Sequence, residues 1–258
     1  MPTEPQGNSS AAPGNYLAQE IEGSDRLARK IGTKYTRGYS VKSLYDRQSR
    51  FILDFLKKRN VRNVVEIGCG MGNFLALAQA EVPQVYGVDP APDSLWIARS
   101  ILPDAKILQG QGETLPFASN SVGAFVMKGV VHHLQDPTVV FRELRRCLVP
   151  GGYLVIFEGN RSSLYRRTVL GFADLFRYDH ESTLFEHRAP KAMKRMLEES
   201  GLAPILLRNI SGLFAPLALF GVGGRALWNV LFPIENAFQR ICPFLFNYYV
   251  MLVAQKPE

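Results

Sequence analysis

Histidine and cysteine are scarce in this chain, with four of one and three of the other among 258 residues. Cys69, Cys147 and Cys242 are odd in number and lack metal-ligand spacing, which argues against a disulfide framework or a zinc centre. Long apolar runs are also missing. The uncharged stretch Ile210–Gly224 is interrupted by Pro216, Gly221, Gly223 and Gly224 and falls short of the ~20 residues that a membrane-spanning helix needs. Nothing at the N-terminus reads as a signal peptide, so a reducing, cytoplasmic compartment is expected. An RNA-binding sheet's interleaved aromatic and basic residues are absent too, as is a serine-rich basic tail, which makes nucleic acid an unfavoured partner.

Apolar residues are plentiful, at 47% hydrophobic, so the chain can bury a substantial core as one elaborated domain or two small ones. The net charge of +7 is unevenly spread. Residues 1–60 carry 11 basic and 6 acidic groups, and 161–208 carry 9 and 6, whereas 61–160 carry 7 and 9. Basic flanks thus surround a slightly acidic centre, suited to nucleic acid, anionic lipid or an acidic substrate, or simply to solvated helix faces.

Residues 1–15, rich in Pro, Gly, Ser and Asn, read as a disordered tail, and 16–60 as N-terminal helices. Within the latter, Val41, Leu44, Tyr45, Phe51, Ile52, Phe55 and Leu56 recur at helical spacing over 40–59, with Lys57-Lys58-Arg59 suited to a helix C-terminus. From residue 61 short apolar runs alternate with amphipathic segments. Strands are expected at Asn63–Ile67, Gln84–Val88, Ala105–Leu108, Gly123–Lys128 and Gly152–Glu158, with helices near 73–80, 93–100 and 136–148. This rhythm predicts parallel β-α-β units in a doubly wound α/β sheet whose ligands sit at the carboxyl ends of the strands. Beyond residue 160, helices are expected over 161–176 and 190–200, and strands at Ala203–Ser211 and Tyr248–Gln255. Between those strands lies the segment 212–246, with 22 hydrophobic residues of 35 and only Arg225, Glu235 and Arg240 charged.

The strongest local pattern is Val64-Val65-Glu66-Ile67-Gly68-Cys69-Gly70-Met71-Gly72-Asn73-Phe74. An apolar strand ends in a glycine-rich turn that opens a helix, which lets backbone N–H groups approach a ligand closely. The Gly-x-Gly-x-Gly spacing, with Asn73 where a dinucleotide site wants a small third residue, disfavours a nicotinamide cofactor. A second strand, Val85-Tyr86-Gly87-Val88-Asp89, ends in a carboxylate 17 residues after Gly72. Asp89 there can accept from both ribose hydroxyls of a nucleoside, or cap the next helix. Leu115-Pro116-Phe117 reads as packing, Pro150-Gly151-Gly152 as a turn that starts a strand, and Cys69 as a small packed residue, not a nucleophile.

Four blocks in order carry a resemblance: Glu66-Ile-Gly-Cys-Gly-Met-Gly72; Gly87-Val-Asp89; Gly110-Gln-Gly-Glu-Thr-Leu-Pro-Phe117; and His132-His-Leu-Gln-Asp-Pro137 followed by Leu144-Arg-Arg-Cys-Leu-Val-Pro-Gly-Gly152. With them the sequence resembles the class I S-adenosylmethionine-dependent methyltransferases, in particular the type 11-like small-molecule group that includes quinone and sterol enzymes. The likeness covers residues 40–160 well and the rest in outline. It implies a Rossmann-like seven-stranded sheet with an antiparallel last strand, and S-adenosylmethionine as cofactor. Residues 61–160 become the cofactor-binding core. Residues 161–258 become acceptor-covering helices and the last two strands of the same domain, with 212–246 as a helical hydrophobic insertion before the final strand.

The resemblance also implies roles. Glu66 lies below the methionine end of the cofactor; Gly68, Cys69, Gly70 and Gly72 form the turn under its ribose and carboxypropyl arm. Asp89 binds the ribose, and Pro90 lines the adenine side. Gln111 and Gly112 stand where the family usually has Asp-Ala, so the adenine amino group would be met by the Gln111 carbonyl, with Glu113 sharing that task.

Lys128, unusual where small residues are common, faces either the cofactor carboxylate or an acidic acceptor. His132 and His133 follow the fourth strand and are the candidates for a catalytic base, or one of them starts or caps the next helix. Tyr178, Asp179, His180, Glu181, Glu186 and His187 are further candidates over the acceptor. No metal is expected.

The insertion, with Phe214, Phe220, Trp228, Phe232, Phe238, Phe244 and Phe246, suits a lid over an apolar acceptor, an interfacial membrane element, a dimer surface or an extension of the core. The expected function is methyl transfer to a small lipophilic acceptor of quinone, isoprenoid, lipid or polyketide type, with peripheral membrane contact through 212–246 and the basic flanks. The rival is a non-catalytic scaffold that binds the same cofactor. Protein or nucleic-acid methylation would instead call for an open basic groove.

Overall fold

The computed structural model describes residues 17–26, 28–29, 39–160, 162–168, 189–219, 222–241 and 247–258. The expected tail, the six candidates between 178 and 187, and Phe220, Phe244 and Phe246 of the insertion lie outside them.

Seven strands form one sheet: β1 (Asn63–Ile67), β2 (Gln84–Asp89), β3 (Lys106–Gln109), β4 (Val122–Lys128), β5 (Leu148–Gly159), β6 (Ala203–Ile210) and β7 (Tyr249–Gln255). Their order is β3-β2-β1-β4-β5-β7-β6. The first five pair in parallel, while β7 runs antiparallel to both β5 and β6. The chain crosses over between β3 and β4, so β1 and β4 are neighbours at the switch point where open α/β sheets bind ligands.

Alternation along the strands divides the core into two layers. Val65, Ile67, Phe125, Met127, Leu154 and Ile156 face helices α4 (Pro137–Cys147) and α5 (Pro190–Glu199). Val64, Ala124, Val126, Val155 and Phe157 face α1 (Tyr39–Lys58), α2 (Asn73–Ala78) and α3 (Pro92–Ile101). Helix boundaries follow local chemistry: α4 begins with Asp136 accepting from the Thr138 N–H and Pro137 in its first turn.

β5 is longer than the apolar run alone implies. Leu148 already pairs with Val122, and the Pro150-Gly151-Gly152 segment is an irregularity inside the strand, not a turn before it. Gly151 adopts φ +73° there, and its N–H and carbonyl are held by the Lys256 carbonyl and the Gln255 amide. Leu115-Pro116-Phe117 does pack: Leu115 is buried, and Phe117 stands edge-on between Tyr86 and Phe125.

The insertion contains α6 (Ala215–Leu219) and α7 (Arg225–Ile241). Both lie against α1, and Trp228 and Ala218 bury with Leu44 of α1 and Tyr248 beside β7. A charge pair fixes this packing. Arg47 of α1 donates to Glu235 at 3.2 Å, to the Ser211 carbonyl and to Asn236, and Glu235 is 1% exposed. Leu227, Val230, Ile234, Phe238 and Ile241 form an exposed stripe along α7. Among the described residues no helix is long and apolar enough to cross a membrane.

Candidate functional site

The carboxyl ends of β1, β2, β4 and β5 converge on one edge of the sheet, and the glycine turn after β1 organises the first part of it. Gly68, Gly70 and Gly72 all have positive φ, at +69°, +49° and +81°. A Cβ on Gly68 would meet the Val130 side chain at 2.3 Å, whereas one on Gly70 would meet nothing within 4 Å among the described residues. Gly68 is therefore a packing requirement, and Gly70 borders open space. The Cys69 thiol is buried against Gly87, and burial pushes its pKa well above the ordinary thiol value, which suits packing and opposes nucleophilic use.

Asp89 closes the turn. One carboxylate oxygen accepts from the Gly70 N–H at 2.8 Å and the other from the Ala91 N–H at 2.9 Å. It is 6% exposed, and burial raises its pKa against the pull of those two N–H groups. Asp89 is not the cap of α3. The free N-terminus of that helix is met from far away in the chain, where Asp25 accepts from the Asp93 N–H at 3.0 Å. Pro90 offers its carbonyl to the Gln109 amide. Across the turn, Gln111 and Glu113 are exposed, and the buried Gly112 lies against Val140, where a Cβ would stand 2.9 Å from a methyl group.

Glu66 and Lys128 lie at the centre. Glu66 is 2% exposed and its Oε2 has no hydrogen-bond partner. Burial raises its pKa to about 8, against the opposing pull of Lys128. The same burial lowers Lys128 to about 8, with Glu66 opposing. The ammonium stands 3.5 Å from the Ser49 hydroxyl and 4.6 Å from the centre of the Tyr45 ring, both from α1.

His132 and His133 occupy a single 3-10 turn, Val131–His133, and neither caps α4, because Asp136 does so. Each imidazole meets a carboxylate. His132 Nδ1 is 2.8 Å from Glu158 Oε2, and the other Glu158 oxygen accepts from the Val130 and Val131 N–H groups at 2.7 Å. Glu158 is 3% exposed, so this pair is held from the end of β5 in a largely water-free place. His133 Nδ1 is 2.7 Å from Glu20 of the leading helical segment, whose Ser24 and Arg29 also reach Ser94 and Asp93 of α3. The rings of the two histidines are 4.0 Å apart.

The turn thus gathers Glu66, Gly68, Cys69, Gly70, Gly72, Asp89 and Pro90, with Lys128, His132 and His133 on the neighbouring strand end, while Gln111 and Glu113 stand out at the rim. Glu158, Glu20, Asp25 and Ser49 were missed by sequence reasoning. Glu158 alone left a trace, as the carboxylate that ends the apolar run Leu154-Val-Ile-Phe-Glu158.

Residues 65–156 match the family model described as a methyltransferase domain. Demethylmenaquinone methyltransferase of Staphylococcus aureus is 25% identical over 219 residues, covering 75% of this chain and 90% of that one. Among solved structures, an S-adenosylmethionine-dependent methyltransferase from Thermotoga maritima shares the fold at TM-score 0.61 and 20% identity, over 90% of this chain and 99% of that one. Geranyl diphosphate C-methyltransferase from Streptomyces coelicolor does so at TM-score 0.67 and 15% identity, over 96% and 100%. With the strand order, the antiparallel β7 and the glycine turn closed by Asp89, these likenesses lead to one conclusion: residues 65–156 are a methyltransferase domain, and the chain is an S-adenosylmethionine-dependent methyltransferase of the class I fold.

Proposed function

We propose that this methyltransferase acts on a small lipophilic acceptor and that His132, held by Glu158, receives the acceptor's proton. The observation that carries this reading is the largely buried His132–Glu158 pair at the carboxyl edge, the edge that also carries the glycine turn.

The residues present fit the cofactor. Glu66 Oε2 is an orphaned acceptor in a buried place, which a cationic amino acid end would satisfy, and Gly70 leaves room for close approach. Each Asp89 oxygen that bonds an N–H retains a further lone pair for a ribose hydroxyl. In this reading Gly68, Cys69, Gly70 and Gly72 lie under the ribose and carboxypropyl arm, Pro90 with Gln111, Gly112 and Glu113 borders the adenine, and Lys128 faces the carboxylate. When bound, S-adenosylmethionine supplies a methyl group on a positively charged sulfur with a neutral thioether as leaving group.

If Nδ1–H of His132 donates to Glu158, the neutral ring carries its lone pair on Nε2, and the proton of an acceptor hydroxyl or activated carbon goes there. Glu158 holds the tautomer and stabilises the imidazolium that results. His133, paired with the more exposed Glu20, ties the leading helical segment across this edge. Alignment of the reacting atoms supplies much of the remaining rate.

The lipophilic acceptor is supported by the relatives named for demethylmenaquinone and geranyl diphosphate and by the apolar insertion. The exposed stripe on α7 and the basic flanks support contact with an anionic membrane surface. The test is transfer of labelled methyl from S-adenosylmethionine by the full chain, offered a short-chain demethylmenaquinol, geranyl diphosphate, and total protein and nucleic acid. Labelling of a lipophilic compound, with His132→Ala lowering kcat by about 100-fold while the KM for the cofactor stays level, is the expected result. Label confined to macromolecules would overturn the acceptor class, and cofactor binding without transfer to any of them would favour the scaffold. Vesicle co-sedimentation that fails at low salt with anionic lipid would remove the membrane part.

A further inference from the structure

One buried charge near this edge forms no ion pair among the described residues. After β5 the chain turns sharply: Asn160 Oδ1 accepts from the Ser162 N–H, and the Ser163 hydroxyl accepts from the Arg166 N–H at 3.1 Å. This turn opens the short helix 164–168 and swings Arg166 back over the end of the strand. A Cβ on Gly159 would stand 2.8 Å from the Arg166 Cζ, Nε and Nη2 atoms, so the guanidinium rests on the one residue that leaves room for it. Its other side is 5.5 Å from the centre of the Tyr248 ring.

Arg166 is 8% exposed, its Nε has no hydrogen-bond partner, and its guanidinium forms no ion pair among the described residues. The adjacent carboxylate, Glu158, directs its oxygens to Val130, Val131 and His132 instead. Burial lowers the Arg166 pKa, with Tyr248, Tyr249 and Glu158 opposing. A guanidinium buried with its Nε donor unused is costly, because the lost hydration of the charge is not made up by a partner. An anion that uses the planar fork would offset that cost, and carboxylate and phosphate match it in geometry. The surroundings away from the charge are apolar. Tyr248 belongs to the cluster with Trp228 and Ala218, and the Tyr165 hydroxyl donates to the Leu213 carbonyl at 2.6 Å, binding this turn to the insertion.

We propose that Arg166 recognises an anionic group on the acceptor, a carboxylate or phosphate carried by an otherwise apolar molecule whose hydrocarbon part lies along the Tyr248–Trp228 cluster. This rests on the reading above, in which the acceptor occupies the edge beside His132. Arg166 is then a specificity residue: it pairs with the head group and so selects acidic amphiphiles over neutral ones of the same length.

The test uses the full chain saturated with S-adenosylhomocysteine, titrated by calorimetry with decanoate, decyl phosphate, decanol and inorganic phosphate. At least one of the two acidic amphiphiles is expected to bind about tenfold or more tightly than both decanol and inorganic phosphate, and which one it is separates a carboxylate head from a phosphate head. Arg166→Gln is expected to abolish that preference, with decanol and S-adenosylhomocysteine affinities unchanged. Gly159→Ala, which keeps the charge but displaces the guanidinium, is expected to weaken the acidic probe several-fold. Should Arg166→Gln not fold, Arg166→Lys and Gly159→Ala carry the comparison. Equal binding of acidic and neutral amphiphiles to the wild type, or an undiminished preference in the displaced or uncharged variant, would overturn the proposal. Failure of the wild type to bind S-adenosylhomocysteine would strike the cofactor reading instead, while the difference between decanoate and decanol still reports on Arg166.

Discussion

The two sides of the carboxyl edge are held by different means. On the β1–β2 side the glycine turn itself is closed by short-range links that use backbone: Asp89 takes N–H groups from Ala91, 2 residues away, and from Gly70, 19 away, while the leading segment reaches only the helix beyond it. On the β5–β7 side they are long-range and use side chains: Arg47 reaches Glu235 across 188 residues, and Tyr165 reaches Leu213 across 48. The first is a device that any chain with suitable glycines and one acid reproduces. The second depends on each member of each pair, so loss of one partner leaves the other buried and unmatched.

The sharpest way to break this contrast is at Arg47. Arg47→Leu leaves Glu235 buried without its partner and is expected to cost about 3–5 kcal/mol of stability, read from denaturant unfolding, whereas Arg47→Leu with Glu235→Leu recovers most of it. Asp89→Ala is the counterpart on the other side. It strands two N–H groups and removes the carboxylate proposed to accept from the ribose hydroxyls, so calorimetry with S-adenosylmethionine should show a loss of about 100-fold or more in affinity. Unchanged affinity would contradict the placement of the nucleoside.

Glu158→Gln tests whether the long-range side acts on the reaction. The amide can still accept from Val130 and Val131, but it cannot hold the same imidazole tautomer with a negative charge. A fall of about 100-fold in kcat, with little change in acceptor KM, is expected, and Glu158→Asp should recover part of it.

A subtler effect lies at Glu66. Burial holds its pKa near 8, while an unfolded glutamate titrates near about 4.3. Between those values the folded chain keeps a proton that the unfolded chain has lost, so stability falls as pH rises through that window. Glu66→Gln should remove this fall, read as melting temperature against pH. A cationic cofactor end arriving beside Glu66 lowers its pKa, so binding at pH 7 should release up to about one proton, seen as buffer-dependent binding enthalpy and lost in Glu66→Gln. The smallest change is expected at the partly exposed Glu20: Glu20→Gln should alter turnover no more than about threefold, since such pairs contribute at most ~1 kcal/mol.

The sheet was legible because its strands alternate with helices at a regular interval and the central strands are apolar on both faces; Asn63–Ile67 was located to the residue, and others within a few positions. β5 ran longer than expected because Leu148 pairs with Val122 through a bulge that apolar content does not report. Gly68, Gly70, Gly72 and Asp89 were legible because close backbone approach restricts residue type locally. His132 was visible only as a candidate, since its partner Glu158 lies 26 residues on and only the β4–β5 pairing brings the two together.

By itself, then, the sequence determined the strand–helix alternation, the glycine turn with its acid, and an insertion of apolar helices, since each depends on residues adjacent in the chain. Only the tertiary structure decided that Glu158 orients His132, that Arg47 and Glu235 fasten the insertion, and that Arg166 lies buried over Gly159. Those relations depend on desolvation and on distances between segments far apart in sequence, quantities that exist only after the sheet has closed and water has left its edge.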